Sequence, residues 1–405
     1  MKNKDVVFLC QFFYPEYITS ALLPYQTARY LAEKGMKVSA VCGYPREYLS
    51  NNKKTIPVSE EVDGIHILRV RYIQLKRDSM VKRMINYFSF VLMMFSKLFE
   101  IGRHKVIVVY SNPPILPIIA LIAKWLFHSK IIFVSYDIYP EIAIKTGIIK
   151  TESISTTFMK WINMKLFSEA DLIVALSNEM KNKIINIRDC DPDRISVIEN
   201  WATEENEVGR DVSISSSDSY IKESITITYL GNMGIPQDLD TIIGAITDSR
   251  IKNNPLIKFV FAGHGNQKEK LIDAVKAHKI NNVKVHDYLV GNAYKKVVDD
   301  TDIFLLSLKN ELAGLAVPSK FYTYVMMNKY ILSIINSDTD IARNSTKLEI
   351  GTSIDNGDID SLVKIILYLT KNPDELRLPK DTYNKYFSKK VQLPKYYDEI
   401  TKLLN

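Results

Sequence analysis

The sequence predicts an α/β protein of two doubly wound halves, each a parallel sheet with helices on both faces. Three observations lead there. Short β-branched runs recur with helix-length stretches between them, and strands joined that way pair in parallel. The alternation lapses into a polar stretch after Asn200-Trp201 and then restarts. A chain of 405 residues also exceeds a single hydrophobic core, which stops growing at roughly 250–300 residues.

In the first half, strands are expected at Val6–Cys10, Val38–Val41, Ile65–Val70, Val106–Val109, Ile131–Val134, Leu172–Ala175 and Ser196–Ile198. The first helix is marked by Ala28, Leu31 and Ala32 at helical spacing, with Gly35 as its stop. Residues 106–123 are uncharged, but Ser111-Asn112-Pro113-Pro114 and Pro117 break them. They divide into a strand and a short apolar helix and make no membrane span. That helix, with Ile118, Ile119, Leu121, Ile122 and Trp125, lacks a polar face, so it is either deeply buried or against lipid. Residues 203–224 are rich in Glu, Ser and Asp, which suits a linker. The expected order is a first domain over 1–205, a linker over 206–224 and a second domain over 225–378. The second carries strands at Ile225–Leu230, Lys258–Ala262, Val283–His286, Ile303–Leu306 and Ile331–Ile335. A charged helical end, 379–405, is expected to cross back onto the first domain. Doubly wound sheets bind ligands at the carboxyl ends of their strands, so the two halves are expected to face each other across a cleft.

Composition narrows the class. A hydrophobic content of 46% and a mean hydropathy of -0.06 exclude disorder. Cys10, Cys42 and Cys190 lie far apart without C-x-x-C spacing and read as small buried hydrophobes. The run Val6–Cys10 is short and leads into Gln11, which fits a first strand and no signal peptide. The net charge of +7 is unevenly spread. Arg69, Arg71, Lys76, Arg77, Lys82 and Arg83 face one acid, Asp78, and lead into the apolar run 85–95. Such a segment suits an anionic membrane surface, and 69–127 is taken as membrane-facing. The alternative is a core helix with a charged lead-in. No nucleic-acid partner is expected.

Two turns in the second half suit phosphate. Gly231-Asn232-Met233-Gly234 follows a strand and precedes a helix with Asp238 as its cap, and glycines there let backbone N–H groups approach an anion. Val317-Pro318-Ser319-Lys320 follows the buried strand near Ile303, where a helix start and an ammonium make a seat for a pyrophosphate. The plain alternatives are a tight turn and a helix capped by Ser319. Phe261-Ala262-Gly263-His264-Gly265 is a second strand ending in glycines; a lone loop histidine without a partner is not taken as catalytic. In the first half, Tyr14-Pro15-Glu16 and Tyr136-Asp137-Ile138-Tyr139-Pro140-Glu141 place acids and aromatics at strand ends, where they can hold sugar hydroxyls and stack on sugar faces. Three D-x-D triplets, at Asp191, Asp238 and Asp338, end no apolar strand.

Together, in this order along the chain, the loop after the first strand, Asp137–Glu141 with Gly147, Ile198–Trp201, Gly231–Gly234 with Gln237 and Asp240, Phe261–Gly265 and Val317–Lys320 resemble family 4 glycosyltransferases of the B-type fold. The nearest likeness is to bacterial enzymes of capsule, O-antigen and exopolysaccharide synthesis. The resemblance implies the GT-B fold and a retaining, metal-independent transfer from a nucleoside-diphosphate sugar, UDP favoured, to a saccharide on undecaprenyl diphosphate. It implies no cofactor and a peripheral place on the cytoplasmic face of the cell membrane, and it leaves a homo-oligomer open. Catalytic roles would fall on Asp137, Glu141 and Lys320. The donor would be bound by Gly231, Asn232, Gly234, Gln237, Gly263, Gly265, Tyr288, Leu289, Leu315, Pro318, Ser319, Lys320 and Thr323. The acceptor would be bound by Tyr14, Pro15, Glu16, Thr19, Ser20 and Tyr136. The chain departs from the family where Leu315 and Thr323 replace two glutamates, Asn328 a glycine, Asn232 and Gln237 an arginine and a lysine, and Tyr136 a histidine. Two other readings are a nucleotide-sugar 2-epimerase of the same fold and a non-catalytic partner subunit. The membrane-suited segment argues against the epimerase, since a donor-only enzyme needs no lipid surface.

Overall fold

The computed structural model describes residues 4–45, 56–76, 79–203 and 224–405. Arg77, Asp78 and the expected linker up to residue 223 lie outside the described residues. The chain forms two compact units, one of Met1–Thr203, Gly314–Val317 and Lys389–Asn405, the other of Glu204–Ala313 and Pro318–Ser388.

The first unit is built on an eight-stranded sheet in the order β3-β4-β2-β1-β5-β6-β7-β8. The strands are β1 (Lys4–Cys10), β2 (Val38–Gly43), β3 (Ser59–Val62), β4 (Ile65–Val70), β5 (His104–Tyr110), β6 (Lys130–Ser135), β7 (Leu172–Ala175) and β8 (Ile195–Val197). All pairings are parallel except β3 with β4. β3 is absent from the sequence reading because Ser-Glu-Glu-Val at a sheet edge carries a single apolar side chain. The signal was in the turn: Asp63 and Gly64 both have positive φ, 50° and 74°, as a two-residue hairpin requires.

The helices of this unit are α1 (Thr19–Glu33), α2 (Met80–Phe95), α3 (Leu98–Ile101), α4 (Pro117–Phe127), α5 (Glu141–Lys145), α6 (Ile154–Glu169) and α7 (Asn178–Arg188). The chain leaves β1 for β2 in one direction and steps from β5 to β6 and β7 in the other, so right-handed crossovers put α1 on one face and α4 and α6 on the opposite one. α1 packs beside the C-terminal helix Lys389–Leu404, and α4 beside α2 and α6. Val6, Phe8 and Cys10 of β1 join Leu31 of α1 and Leu393, Tyr396 and Ile400 of the C-terminal helix in one core, following the two-residue alternation of a strand. All three cysteines are buried and free.

The second unit has six parallel strands in the order β11-β10-β9-β12-β13-β14: β9 (Ile225–Leu230), β10 (Ile257–Ala262), β11 (Val283–His286), β12 (Ile303–Ser307), β13 (Tyr330–Ile334) and β14 (Gly351–Ile354). β14 was not expected either, since Gly-Thr-Ser-Ile is short and polar. A Cβ at Gly351 would collide with the Ile331 carbonyl, so the edge pairing itself needs glycine.

Candidate functional site

In the second unit, β9 ends in Gly231-Asn232-Met233-Gly234, and the glycines are there for close approach. Gly231 has φ +119°, and a Cβ on it would overlap the Lys320 ammonium. Gly263 (φ +147°) and Gly265 (φ +142°) lie against the backbone of Gly231 and Met233 in the same way. Three amides of the Gly231–Gly234 turn are already committed. Gly231 N–H donates to the Ala262 carbonyl at 2.7 Å and Met233 N–H to the His264 carbonyl at 2.7 Å, while Gly234 N–H donates to Gln237 Oε1 at 2.9 Å. This corrects the expectation that the turn offers its N–H groups to a phosphate. Its work is bracing, and it clears the space that a cation fills.

Lys320 opens the helix Lys320–Met326, and its Nζ donates to the Leu230 carbonyl at the end of β9. Tyr324, one turn on, stacks on Phe304 with ring centroids 4.1 Å apart and meets the same carbonyl through its hydroxyl at 3.2 Å. Sequence reading missed this contact of Tyr324, though its i,i+4 spacing from Lys320 was visible. Ser319 makes no side-chain capping bond, so the alternative that it merely caps this helix is overturned. Pro318, Ser319 and Thr323 are half-buried beside Lys320. Asn232 is exposed, as are His264 and Tyr288, whose rings lie 6.2 Å apart edge to face, and Leu289 is half-buried.

Behind the turn sits a polar brace around Asp238, whose capping role the sequence predicts but whose partners Ser307 and Asn356, with Gln267 nearby, it does not. Asp238 caps its helix by accepting from Thr241 N at 3.2 Å; Ser307 Oγ accepts from Asp238 N at 2.7 Å. Asn356 Nδ2 donates to Asp238 Oδ2 at 2.9 Å. Gln267 Nε2 reaches the Gly234 carbonyl and, at 3.1 Å, the Gln237 carbonyl. The other D-x-D triplets also belong to helix starts: Asp191 accepts from Asp193 N at 3.0 Å and Thr339 from Ala342 N at 3.3 Å. Among the described residues, no group of three or more His, Cys, Asp or Glu could hold a metal ion.

In the first unit, Tyr136 and Asp137 follow β6, and Ser111 Oγ accepts from both backbone amides, at 3.1 and 3.2 Å. Asp137 forms a bridge with Ala316, and Ile138 N–H donates to the Leu315 carbonyl at 2.9 Å. These contacts, with Gly314 against the Glu179 backbone, place 314–317 in the first unit, where the sequence reading had it in the second. Leu315 is buried, and its carbonyl is spent on Ile138. Burial pushes the Asp137 carboxyl up to about 6, with no hydrogen bond or ion pair of that carboxylate seen among the described residues. A half-buried carboxylate held without a partner is a functional candidate. Burial also raises the Tyr136 hydroxyl, whose ring lies 5.1 Å from that of Tyr110.

Glu141 is corrected. Its carboxylate is gripped by both terminal nitrogens of Arg188, at 2.8 and 2.5 Å, and the same guanidinium donates to the Tyr139 carbonyl at 2.9 Å. A forked pair of this kind ties α5 to α7 and leaves no carboxylate for chemistry. Glu16 is corrected too. It is 3% exposed and lies near the thiols of Cys10 and Cys42, which are held protonated chiefly by burial and to a lesser degree by its charge. Tyr14 stacks on Tyr25 at 5.0 Å, and its carbonyl accepts from Arg69 at 2.9 Å. Tyr14, Pro15, Thr19 and Ser20 remain accessible. Beside them, the side-chain oxygens of Gln11 and Asn112, at the ends of β1 and β5, are buried without a protein partner; sequence reading had assigned them no role. Trp201 is structural: its Nε1 donates to Gln26 at 2.5 Å, and its ring packs edge-on against Tyr396 of the C-terminal helix.

Two family profiles fit this layout: residues 24–201 match the glycosyl transferase 4-like domain and residues 214–386 match glycosyl transferases group 1. The chain is a glycosyltransferase of the B-type fold. It is 25% identical over 270 residues to the probable glycosyltransferase WbjE of Pseudomonas aeruginosa, spanning 65% of this chain and 66%, just under two thirds, of that relative. Among solved structures it is similar to Anabaena Alr3699/HepE in complex with UDP (TM-score 0.67, 10% identity, 98% of this chain and 100% of that one). It is also similar to the sucrose-phosphate synthase of Thermosynechococcus elongatus (TM-score 0.71, 10% identity, 99% of each). A third likeness is to WaaG, a glycosyltransferase involved in lipopolysaccharide biosynthesis (TM-score 0.66, 11% identity, 98% of this chain and 99% of that one).

The Arg188 fork gives a prediction for this glycosyltransferase. Glu141→Gln is expected to destabilise the fold by about 1–3 kcal/mol, the cost of leaving a buried charge half-paired, and to leave transfer within a few-fold. Denaturant unfolding and turnover measured on one preparation check it; a hundredfold loss of turnover at unchanged stability would return Glu141 to the catalytic set.

Proposed function

We propose that this glycosyltransferase moves a sugar, with retention of anomeric configuration, from UDP to a lipid-linked saccharide during assembly of a cell-surface polysaccharide, working at the cytoplasmic face of the membrane. The observation that carries the donor half is the Lys320 ammonium, seated over Gly231 at the end of β9 with a brace beneath it. As the bond from the anomeric carbon to the diphosphate oxygen breaks, negative charge grows on the leaving oxygens, and a fixed cation stabilises that state more than the ground state. Lys320 and Ser319 hold the diphosphate, and Gly263, Gly265, Tyr288 and Leu289 border the nucleoside. The ammonium supplies positive charge where a metal ion would otherwise be needed. Asp137 takes a hydrogen bond from the acceptor hydroxyl that attacks the anomeric carbon, with Tyr136, Tyr14 and the start of α1 against the acceptor sugar. UDP is favoured because Anabaena HepE, of the same fold, binds UDP and UDP-glucose.

The test is a panel of nucleotide sugars. UDP-sugars are expected to stabilise the protein by about 2.7 kcal/mol at a hundredfold excess over Kd, and one should give a product on a lipid-linked saccharide whose anomeric coupling by NMR matches the donor. An inverted product would overturn the retaining assignment. Protection by GDP- or ADP-sugars but not UDP-sugars would overturn the base.

A further inference from the structure

Among the described residues, the first unit carries an exposed apolar surface on the face formed by α2, α4 and α6. The inner residues of these helices, such as Phe90, Ile119 and Ile162, are core. Their outer residues are apolar as well. Val81, Phe88 and Leu92 of α2, Trp125 of α4 and Ile154 and Trp161 of α6 are all exposed, from 49% at Phe88 to 90% at Ile154. Val81, Ile85, Phe88 and Leu92 recur at helical spacing, as do Ile154, Phe158 and Trp161, so each set is one stripe where a solvated helix would be polar. An apolar patch of this size marks an interaction surface.

Charge identifies the occupant. These three helices carry Lys82, Arg83, Lys124, Lys160 and Lys165 against one acid, Glu169; of these bases Lys124 is paired with Asp171 at 3.0 Å. Lysine is depleted in protein–protein interfaces, whereas basic residues around aromatic and aliphatic side chains suit anionic headgroups above an acyl layer. The surface is wider than the expected segment 69–127, since α6 lies outside it. It is also less basic at its start, because Arg69 is 1% exposed and is spent on Glu60 at 2.6 Å and the Pro57 carbonyl at 2.8 Å. α4 and α6 further flank an open groove of about 780 Å3 lined by Leu121, Ile122, Trp125, Trp161 and Lys165, and also by Asp171, which pairs with Lys124 at 3.0 Å and Lys130 at 3.3 Å. That size lies within the range of small-molecule pockets.

We propose that this groove seats an acyl chain of an anionic membrane lipid, with Trp125 and Trp161 at the headgroup boundary and Lys165 on the headgroup. Docking on the bilayer then runs through α4 and α6 as well as α2. The inference rests on the lipid-linked acceptor reading and sharpens it. Trp125 and Trp161 are exposed and Trp201 is buried, and the chain has 3 tryptophans, so intrinsic fluorescence reports on the groove. Vesicles of phosphatidylglycerol brominated along the acyl chain are expected to quench the wild-type protein, and phosphatidylcholine vesicles to leave it unquenched. Trp125→Glu/Trp161→Glu, with an unchanged melting temperature, is expected to bind phosphatidylglycerol vesicles at least tenfold more weakly in flotation. If the wild type floats and this variant floats equally well, the groove is overturned while docking through α2 stands. If the wild type binds no vesicle and instead self-associates in sedimentation, both fall, and the donor chemistry stays untouched.

Discussion

Lys320→Ala is expected to lower turnover by about 10²–10³-fold, the cost of roughly 2.7–4 kcal/mol for losing one donor aimed at developing charge, while the protein stays folded. The size follows from how the ammonium is placed. The Leu230 carbonyl accepts from it, and Gly231 makes room for it by lacking a Cβ. Tyr324, one helical turn on along the same face, donates to the same carbonyl. A cation positioned before the reaction costs no reorganisation when charge moves onto the leaving group. The fold survives because Lys320 is half-buried, so truncation empties no core cavity, and the packing of Phe321, Tyr324 and Val325 remains. Lys320→Arg should not rescue fully, since a planar fork cannot occupy the space shaped for a compact ammonium. Steady-state turnover with a denaturation curve for each variant decides the matter. Unchanged turnover in Lys320→Ala would remove this residue from the donor site.

Most of the fold could be read because it is written in apolar runs. Four strands, Ile65–Val70, Leu172–Ala175, Ile225–Leu230 and Val283–His286, fall where the alternation placed them. The two strands that were missed, Ser59–Val62 and Gly351–Ile354, are short edge strands whose pairing comes from a positive-φ turn and a missing Cβ, signals that hydropathy does not carry. The site was legible in kind but not in partnership. Glycines at strand ends announced close approach, yet only coordinates show that the amides of Gly231, Met233 and Gly234 are spent internally and that Lys320 fills the vacated space. Glu141 and Asp137 are four residues apart in one segment that also holds Tyr136 and Tyr139, and nothing local separates them. What separates them is Arg188, 47 residues further along from Glu141, a long-range pairing that no spacing rule encodes. Arg69 was misread for the same reason: a basic run looks solvated until Glu60 and two carbonyls turn out to surround one member of it.

The contrast between those two acids yields an expectation of opposite sign for fold and function. Asp137→Asn should make the protein more stable at pH 8, by up to about 3 kcal/mol, while cutting transfer at least a hundredfold. Burial raises the Asp137 carboxyl from 3.8 to about 6, so the folded protein holds that proton more tightly than the unfolded chain does. Where the native state binds more protons, stability falls as pH rises. The penalty is absent below about pH 4, grows between pH 4 and 6, and is complete above, where 1.36 kcal/mol per pH unit gives its size. Asparagine carries no charge to desolvate, so its advantage should fade as the medium is acidified through that window. Urea unfolding of both proteins at pH 4, 6 and 8 measures it. Transfer should move the other way, because the acceptor hydroxyl loses its anionic partner: the wild-type rate should climb through pH 6 as Asp137 ionises, and the variant should lack that limb. A variant less stable than the wild type at pH 8 would mean that the carboxylate has a stabilising partner after all. A variant that is more stable yet fully active would leave Asp137 a buried charge without a task.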